Sequence, residues 1–501
     1  MSRLSVHAIK QKPNNRLLFS TILAIVFCSI CLKIAAAQEE ISWTEPVLLS
    51  GTIKGSNPQL LIDEQSGEHV FWAEYPTGEI AGAIYYQALI NRLWSDPIDI
   101  IITSGSTGFS FDAKLDNNGW VHLVWDSDLV YYSRAEVSSL ALPNSWSDPV
   151  AISDHLSDSP NIAIDPQGNI HVVYIDRESS PYVRYTSSND DGETWQQPMR
   201  VSEPVGSAYA IDVSLIQDRS GMLYIAWAEN IEIFPPSGIY FSLSTDAGNT
   251  WSEPQSIVNG GYRFPSLGLD KDNNIHLFWT GTGDWAGKYH TYSTEGGTSW
   301  SSTEQLWPGT AGFLGFADFE LDPRGNLHMV TAVNSQTLFD VRSPGEIFHT
   351  IWLGDTWSEP GHLTESMIRT EYENQFPDMA ISEDGQIHVV WHTIDHSSQS
   401  SYVWYSTTDL PMSETGGDVS PTNNFPKENL VPTPTVKSPT PTMQVLRGSP
   451  TPPTTPAQNS LQEMINTDVE LPNPWLPIGT GISLIVFFLI SVVLFVRLWR
   501  R

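Results

Sequence analysis

Between residues 40 and 410 the apolar positions come in short runs with a period of two, and no stretch keeps the period of an amphipathic helix. The elements this predicts are short strands separated by Gly, Pro, Asn and Asp clusters. A turn followed by an apolar strand recurs seven times: Gly67 to Trp72, Gly119 to Trp125, Gly168 to Tyr174, Gly221 to Trp227, Asn274 to Trp279, Gly325 to Thr331 and Gly385 to Trp391. Its fullest form, Ile164-Asp165-Pro166-Gln167-Gly168-Asn169-Ile170-His171-Val172-Val173-Tyr174, places an Asp-Pro-x-Gly turn between two such runs, which reads as a β-hairpin.

A second repeat, Trp-x-acid-Pro, is interleaved with the first. It begins at Trp43, Trp94, Trp146, Trp195, Trp251, Trp300 and Trp357, with the fourth and sixth copies degenerate. Between the two runs lies an aromatic strand such as Ile84-Tyr85-Tyr86 or Val403-Trp404-Tyr405. Each unit of about fifty residues therefore holds four short strands, the size of a propeller blade. The phase of the repeats matters more than their number. The last unit stops at Tyr405 without its Trp-x-acid-Pro strand, whereas Trp43 to Ser50 carries one before any unit has begun. The expected fold is all-β: a seven-bladed β-propeller whose N-terminal strand completes the last blade, leaving no sheet edge at the seam.

The two ends differ in character. Residues 1–16 carry Arg3, Lys10, Lys12 and Arg16 without an acid, an apolar run extends from Leu17, and Ala35-Ala36-Ala37 follows, the order of a secretory signal spanning 1–37. An uncleaved N-terminal anchor is the alternative. Residues 411–474 are rich in Pro and Thr and read as an extended linker. Leu476 to Val496 holds no charge and as a helix would span about 31 Å, the thickness of a bilayer core. With Arg497, Arg500 and Arg501 directly behind it, a transmembrane helix over 475–497 leaves residues 498–501 as a cytoplasmic tail and the domain at 38–410 outside the cell. The expected location is the cell membrane, with a single span.

Cys28 and Cys31, the only cysteines, lie in the leader, so the exported chain has no disulfide or thiol chemistry. Without the five basic residues of the leader and the three of the tail, 17 basic residues face 57 acidic ones, a net charge of −40. That charge disfavours nucleic acid, anionic lipid and polyanionic glycans as partners.

Ser188-Asn189-Asp190-Asp191-Gly192-Glu193-Thr194-Trp195 and Ser244-Thr245-Asp246-Ala247-Gly248-Asn249-Thr250-Trp251 both follow S-x-D-x-G-x-T-W, and Ser293 to Trp300 is a weaker copy. These segments resemble the Asp-boxes (BNR repeats) of the sialidase superfamily of propellers. The resemblance implies a structural turn between third and fourth strands, on the face away from substrate. Ser188, Asp190, Gly192, Trp195, Ser244, Asp246, Gly248 and Trp251 are then expected to act in stability, since Asp can accept turn N–H bonds and Gly can supply a positive φ. A retaining sialidase is further expected to hold substrate with three arginines and to use a Tyr–Glu nucleophile pair. Tyr262-Arg263-Phe264-Pro265 resembles the family's arginine motif, although it sits mid-chain and Pro265 aligns with Pro58, Pro160 and Pro377 of other units.

Candidate catalytic residues are Arg263, Arg342, Arg369, Tyr262, Glu371 and Tyr372, which do not reproduce the family's order. Candidate binding residues on the substrate face are Arg177, Trp285, Glu74, Asp126, Asp176 and Glu229. Six histidines, His69, His122, His171, His276, His328 and His388, share one repeat position and are expected to be inter-blade packing residues. Asp270-Lys271-Asp272-Asn273-Asn274 has calcium-loop spacing but lacks the Gly and Glu such a loop needs, so no metal or other cofactor is expected. The sequence thus points to a surface module binding a glycan or a protein at the propeller mouth. An exo-sialidase-like hydrolase and a structural surface protein are the alternatives.

Overall fold

A computed structural model describes residues 41–51, 54–75, 82–103, 110–178, 181–203, 208–231, 238–282, 285–308, 310, 315–334, 345–369 and 371–410. The leader, linker and C-terminal span read from the sequence lie outside these residues, as does Arg342. Among the described residues, no helix is long and apolar enough to cross a membrane.

The described chain is all-β, apart from single 3-10 turns such as Val137–Ser139 and Glu365–Met367. Four of its sheets are four-stranded and antiparallel, consistent with the blades of a β-propeller; one sheet has a fifth strand, and a single parallel pair, Gly345 with Glu373, joins two further blades into one eight-stranded sheet. The third blade is typical: Ser157–Ile164 is innermost, followed outward by Ile170–Asp176, Tyr182–Ser188 and Met199–Arg200. Second strands are buried on both faces, which explains their unbroken apolar runs; Ile170–Asp176 has no exposed residue at all. Counting sheets in this way, the innermost strands are Lys54–Ile62, Phe111–Leu115, Ser157–Ile164, Ala208–Gln217, Tyr262–Leu269, Asp318–Leu321 and Tyr372–Ile381.

The last sheet needs a strand from the other end of the chain. Val47 pairs with Tyr405 and Leu48 with Trp404, so the N-terminal strand Val47–Leu48 lies antiparallel against Ser400–Asp409. Ser50 shows that this strand occupies the ordinary fourth position. Its Oγ accepts the Val403 N–H at 2.9 Å, as Ser153 accepts that of Val130 at 2.9 Å and Ser202 that of Val183 at 2.8 Å.

A ring of hydrogen bonds around the axis joins the innermost strands. The side chain of Gln59 accepts the backbone N–H of Ala113, Asp112 that of Ile162, and Asn161 that of Leu215. Ser214 accepts from Leu267, Ser266 from Ala317, Asp318 from Met379, and Asp378 from Leu60, which returns to the first blade. Seven acceptors meet seven donors and the circuit closes. Each of these groups is thereby paired in a place where an unpaired N–H would cost about 1–3 kcal/mol.

Outside this ring the repeated histidines join neighbouring strands. Nδ1 of His122 and of His171 lies 2.8 and 2.7 Å from the hydroxyls of Tyr132 and Tyr185. Those hydroxyls reach the next blade at the carbonyls of Asp191 and Ala247. In two blades a second histidine replaces the tyrosine: His276 meets His290 at 3.0 Å and His328 meets His349 at 2.9 Å. The histidines therefore do the packing work that their repetition implied.

The octapeptides at 188–195 and 244–251 fold alike. Asp190 Oδ1 accepts from the Ser188 hydroxyl and the Thr194 N–H, and its other oxygen accepts from the Thr194 hydroxyl. Trp195 packs edge-on against Tyr132, and Trp251 against Tyr185, each from the preceding blade. Gly192 and Gly248 have φ of +84° and +85°. A Cβ at Gly248 would lie 1.9 Å from the Tyr185 hydroxyl, so this position excludes any side chain.

Candidate functional site

Most innermost strands enter the ring through a bulge. The register slips between Ser56 and Gln59, Asp158 and Asn161, Ile211 and Val213, Arg263 and Ser266, and Gln375 and Asp378. A non-glycine residue at each slip takes a left-handed backbone: Asn57, Ser159, Asp212, Phe264 and Phe376, with φ between 45° and 54°. Such conformations cost about 1–3 kcal/mol each and persist only where their surroundings hold them. Here the preceding blade does so. Asp126 Oδ2 accepts the Ser159 N–H at 3.1 Å, Asp212 that of Phe264 at 3.2 Å, and His392 Nδ1 that of Asn57 at 3.4 Å.

The bulges surround a cavity of about 370 Å³ lined by residues from all seven innermost strands, which places it on the propeller axis. Its upper wall carries Asn57, Ser159, Asp212, Phe316 and Phe376, and it reaches down to Asp112, Lys114, Asp318 and Asp378. Phe264 packs edge-on against both Phe316 and Phe376, with centroids 5.3 and 6.0 Å apart. Below lies a second cavity of about 260 Å³, lined by Glu320. Gln59, Lys114, Asp318 and Asp378 border both spaces and form a waist between them.

Charge is concentrated at this waist. Burial raises the Asp318, Asp378 and Glu320 carboxyls above their usual range, Glu320 to about 8, and Asp318 adds to the rise at the other two. Asp112, beside Lys114, holds its ammonium above the ordinary lysine value. Lys114 and Glu320 are exposed to solvent, Lys114 on both cavities and Glu320 on the second. Asp112 is the saturated member, accepting from Asn161 Nδ2, the Ile162 N–H and Gln59 Nε2.

The residues singled out from sequence have other tasks. Arg263 makes a bidentate ion pair with Asp212, its Nη2 2.9 Å from Oδ1, so the guanidinium of the arginine motif already holds a carboxylate of the neighbouring blade. Arg177 is bound in the same way to Asp158, with Nη2 2.8 Å from Oδ1. Arg369 is exposed and lies 5.1 Å over the ring of Tyr372, beside half-buried Glu371. Tyr262 is buried among Trp279, Tyr289 and Trp285, and burial raises its hydroxyl pKa. Trp285 is half-buried against Gly260 and Gly261, where no side chain would fit, and so is not a free stacking platform. Of the three candidate arginines, Arg263 is paired with Asp212, Arg369 lies over Tyr372, and Arg342 is outside the described residues.

Glu74, Asp126, Asp176 and Glu229 are likewise buried supports. Trp72 Nε1 donates to Glu74 at 2.7 Å and Trp227 Nε1 to Glu229 at 3.2 Å. Asp126, raised to about 6 by burial, holds Ser110 and Ser159. Asp154, His155 and Asp176 come within metal-ligand reach of one another. Arg184 already stands among them, 2.7 Å from Asp154 Oδ1 and 3.0 Å from Asp176 Oδ2, and a metal ion would have to displace it.

No protein-family model and no curated protein matches the sequence. The fold is distantly similar to that of solved structures. A protein of unknown function from Dyadobacter fermentans is 14% identical with a TM-score of 0.46, covering 74% of this chain and 100% of its own. The polysaccharide lyase Uly1 is 9% identical with a TM-score of 0.49, covering 75% of this chain and 93% of its own. The NanB sialidase of Streptococcus pneumoniae is 12% identical with a TM-score of 0.40, covering 76% and 72% respectively.

Proposed function

We propose that this chain is a membrane-anchored, seven-bladed surface propeller that binds a carbohydrate in its axial cavity without cleaving it. The observation carrying this reading is the cavity itself. Phe316 and Phe376 offer ring faces, while Asn57, Ser159, Lys114, Asp318 and Asp378 offer donors and acceptors, within a volume suited to a small ligand. The pairing of Arg263 with Asp212 supports binding over sialoside hydrolysis, because a guanidinium neutralised by its own chain is a poor clamp for a substrate carboxylate. The anchoring half of the proposal rests on the apolar run at 476–496 and the arginines behind it.

The test uses the full chain purified in detergent. We expect no turnover of a fluorogenic sialoside by the parent, and binding on a glycan array that weakens in Phe376→Ala. Turnover that disappears in Arg263→Ala would replace the binding module with an enzyme, and an empty array would remove the carbohydrate reading. Protease added to intact cells should release a folded fragment of roughly residues 38–410; its retention would overturn the topology.

A further inference from the structure

The interface between the fifth and sixth blades departs from the other six. Elsewhere an aliphatic residue of a third strand meets the ring that closes the apolar run of the next blade's second strand. Val403 shares an apolar cluster with Trp72, Ile84 with Trp125 and Val183 with Trp227. Three more interfaces repeat the pair, with Val or Ile against Trp or Tyr. Between Gly287–Ser293 of the fifth blade and Leu327–Asn334 of the sixth, both members change. Lys288 takes the aliphatic position and Thr331 the aromatic one, as their registers opposite Thr280 and Phe348 show. A base and a hydroxyl thus stand where six other interfaces are wholly apolar at this level.

Lys288, Thr280 and Thr331 are all 0% exposed. Lys288 Nζ donates to Thr280 Oγ1 at 2.8 Å and lies 5.6 Å over the Phe278 ring. An ammonium has three N–H donors, so two remain to be satisfied, and the Thr280 hydroxyl still has its own O–H to give. Thr331 Oγ1 is buried with no partner. Trp307 of the fifth blade lies edge-on to Phe348 at 5.4 Å, but it serves neither polar group. Among the described residues no carboxylate pairs with Lys288, and burial alone pulls its pKa down to about 7. On the strands around it, His276 pairs with His290, His328 with His349, Glu346 with His362 and Arg263 with Asp212. Asp318 and Glu320 line the axial cavities, and Glu304 is exposed.

An enclosed ammonium without a counter-charge is costly. Water would satisfy the free donors but not the charge, whereas an anion does both. One positive charge calls for one negative charge. Enclosure beside Phe278 and Leu306, which lies directly opposite Lys288, favours a small and weakly hydrated ion. We infer that Lys288, Thr280 and Thr331 hold a small monovalent anion of the halide class between the fifth and sixth blades. The site is separate from the axial cavity and does not depend on what binds there.

The experiment is thermal melting of the full chain in detergent, with sodium chloride exchanged for sodium gluconate at constant ionic strength. A ligand that binds only the folded protein raises the melting temperature with the logarithm of its concentration. For a domain of this size we expect roughly 2 °C for each tenfold rise in chloride above half-saturation. The anion binds the protonated amine, which the empty site gives up near pH 7, so half-saturation at pH 6 should need at least about tenfold less chloride than at pH 8.5. Lys288→Met restores an apolar side chain at a position that is apolar in the other six blades, and its melt should no longer follow chloride. Thr331→Val keeps the shape and removes one donor, which should raise half-saturating chloride about tenfold. A parent melt that ignores chloride overturns the inference, and the buried lysine is then met by water alone. A response that survives in Lys288→Met is a bulk salt effect and overturns it as well. Should Lys288→Met fail to fold, the other two comparisons still decide: equal half-saturation in parent and Thr331→Val, or at the two pH values, refutes the site.

Discussion

Replacing Ser50 by Ala tests whether the N-terminal strand is an ordinary blade strand, although its partner is 353 residues away. Ser50 is 1% exposed, and its hydroxyl accepts the N–H of Val403, which begins the buried stretch of the third strand of the last blade. Alanine leaves that N–H enclosed with no partner of equal quality. The expected loss is about 1–3 kcal/mol, the cost of an unsatisfied buried donor. With an unfolding entropy of about 2 cal/mol/K per residue over a domain of this size, the melting temperature should fall by roughly 1–4 °C. Ser153→Ala and Ser202→Ala remove the same bond in the second and third blades and set the scale. Scanning calorimetry and urea unfolding of all three variants supply the comparison. If the two interior variants lose stability and Ser50→Ala does not, the N-terminal strand is not holding the last blade, and the closed ring is wrong.

Two further outcomes follow from the packing. Gly248→Ala should destabilise by more than about 2 kcal/mol, because the methyl group meets the Tyr185 hydroxyl as well as an unfavourable φ. Gly168→Ala, at the same φ of +85° with open space around it, should cost only about 1–2 kcal/mol; equal losses in the two melts would refute the steric argument. His392 is held near a pKa of about 4 by burial, below its unfolded value, so it contributes stability above pH 6.5 that is lost as pH falls toward 4. The loss at pH 5 is about 2 kcal/mol. Asp126, raised to about 6, works in the opposite direction, so the quantity to measure is the difference in pH slope between parent and His392→Gln. Identical slopes would show that His392 does not titrate on unfolding.

The fold was legible in the sequence because each blade repeats its own signals. The turn before each second strand and the Trp-x-acid-Pro fourth strand are local patterns, and their phase announced the pairing of Val47 with Tyr405. The ring of inter-strand bonds left a fainter trace. A polar residue follows the aligned proline in Pro58-Gln59, Pro160-Asn161, Pro265-Ser266 and Pro377-Asp378, and those polar residues are ring acceptors. The site was much less legible. Asp112, Lys114, Asp318 and Asp378 come from distant parts of the chain, and only ring closure brings them to one axis. Arg263 misled for a related reason: its partner, Asp212, is 51 residues earlier, on a bulge that repeat alignment does not locate. Glu74 and Glu229 stand at strand ends where a mouth residue belongs, and only their tryptophan donors show that they face inward.

The seam between Val47–Leu48 and Ser400–Asp409 also has a mechanical consequence. Every described residue of the propeller precedes residue 411, so tension applied through the chain beyond it enters at the third strand of the last blade. That blade alone borrows a strand from the far end of the sequence, and no turn links the borrowed strand to its neighbour. A pull that peels Ser400–Asp409 outward would first break the contacts with Val47–Leu48. The next contacts at risk are those with Gln386–Asp395, which in turn holds the innermost strand Tyr372–Ile381, whose Asp378 closes the axial circuit at Leu60. Under tension from the C-terminal side, loss of this two-residue pairing would open the ring and spread the axial cavity together.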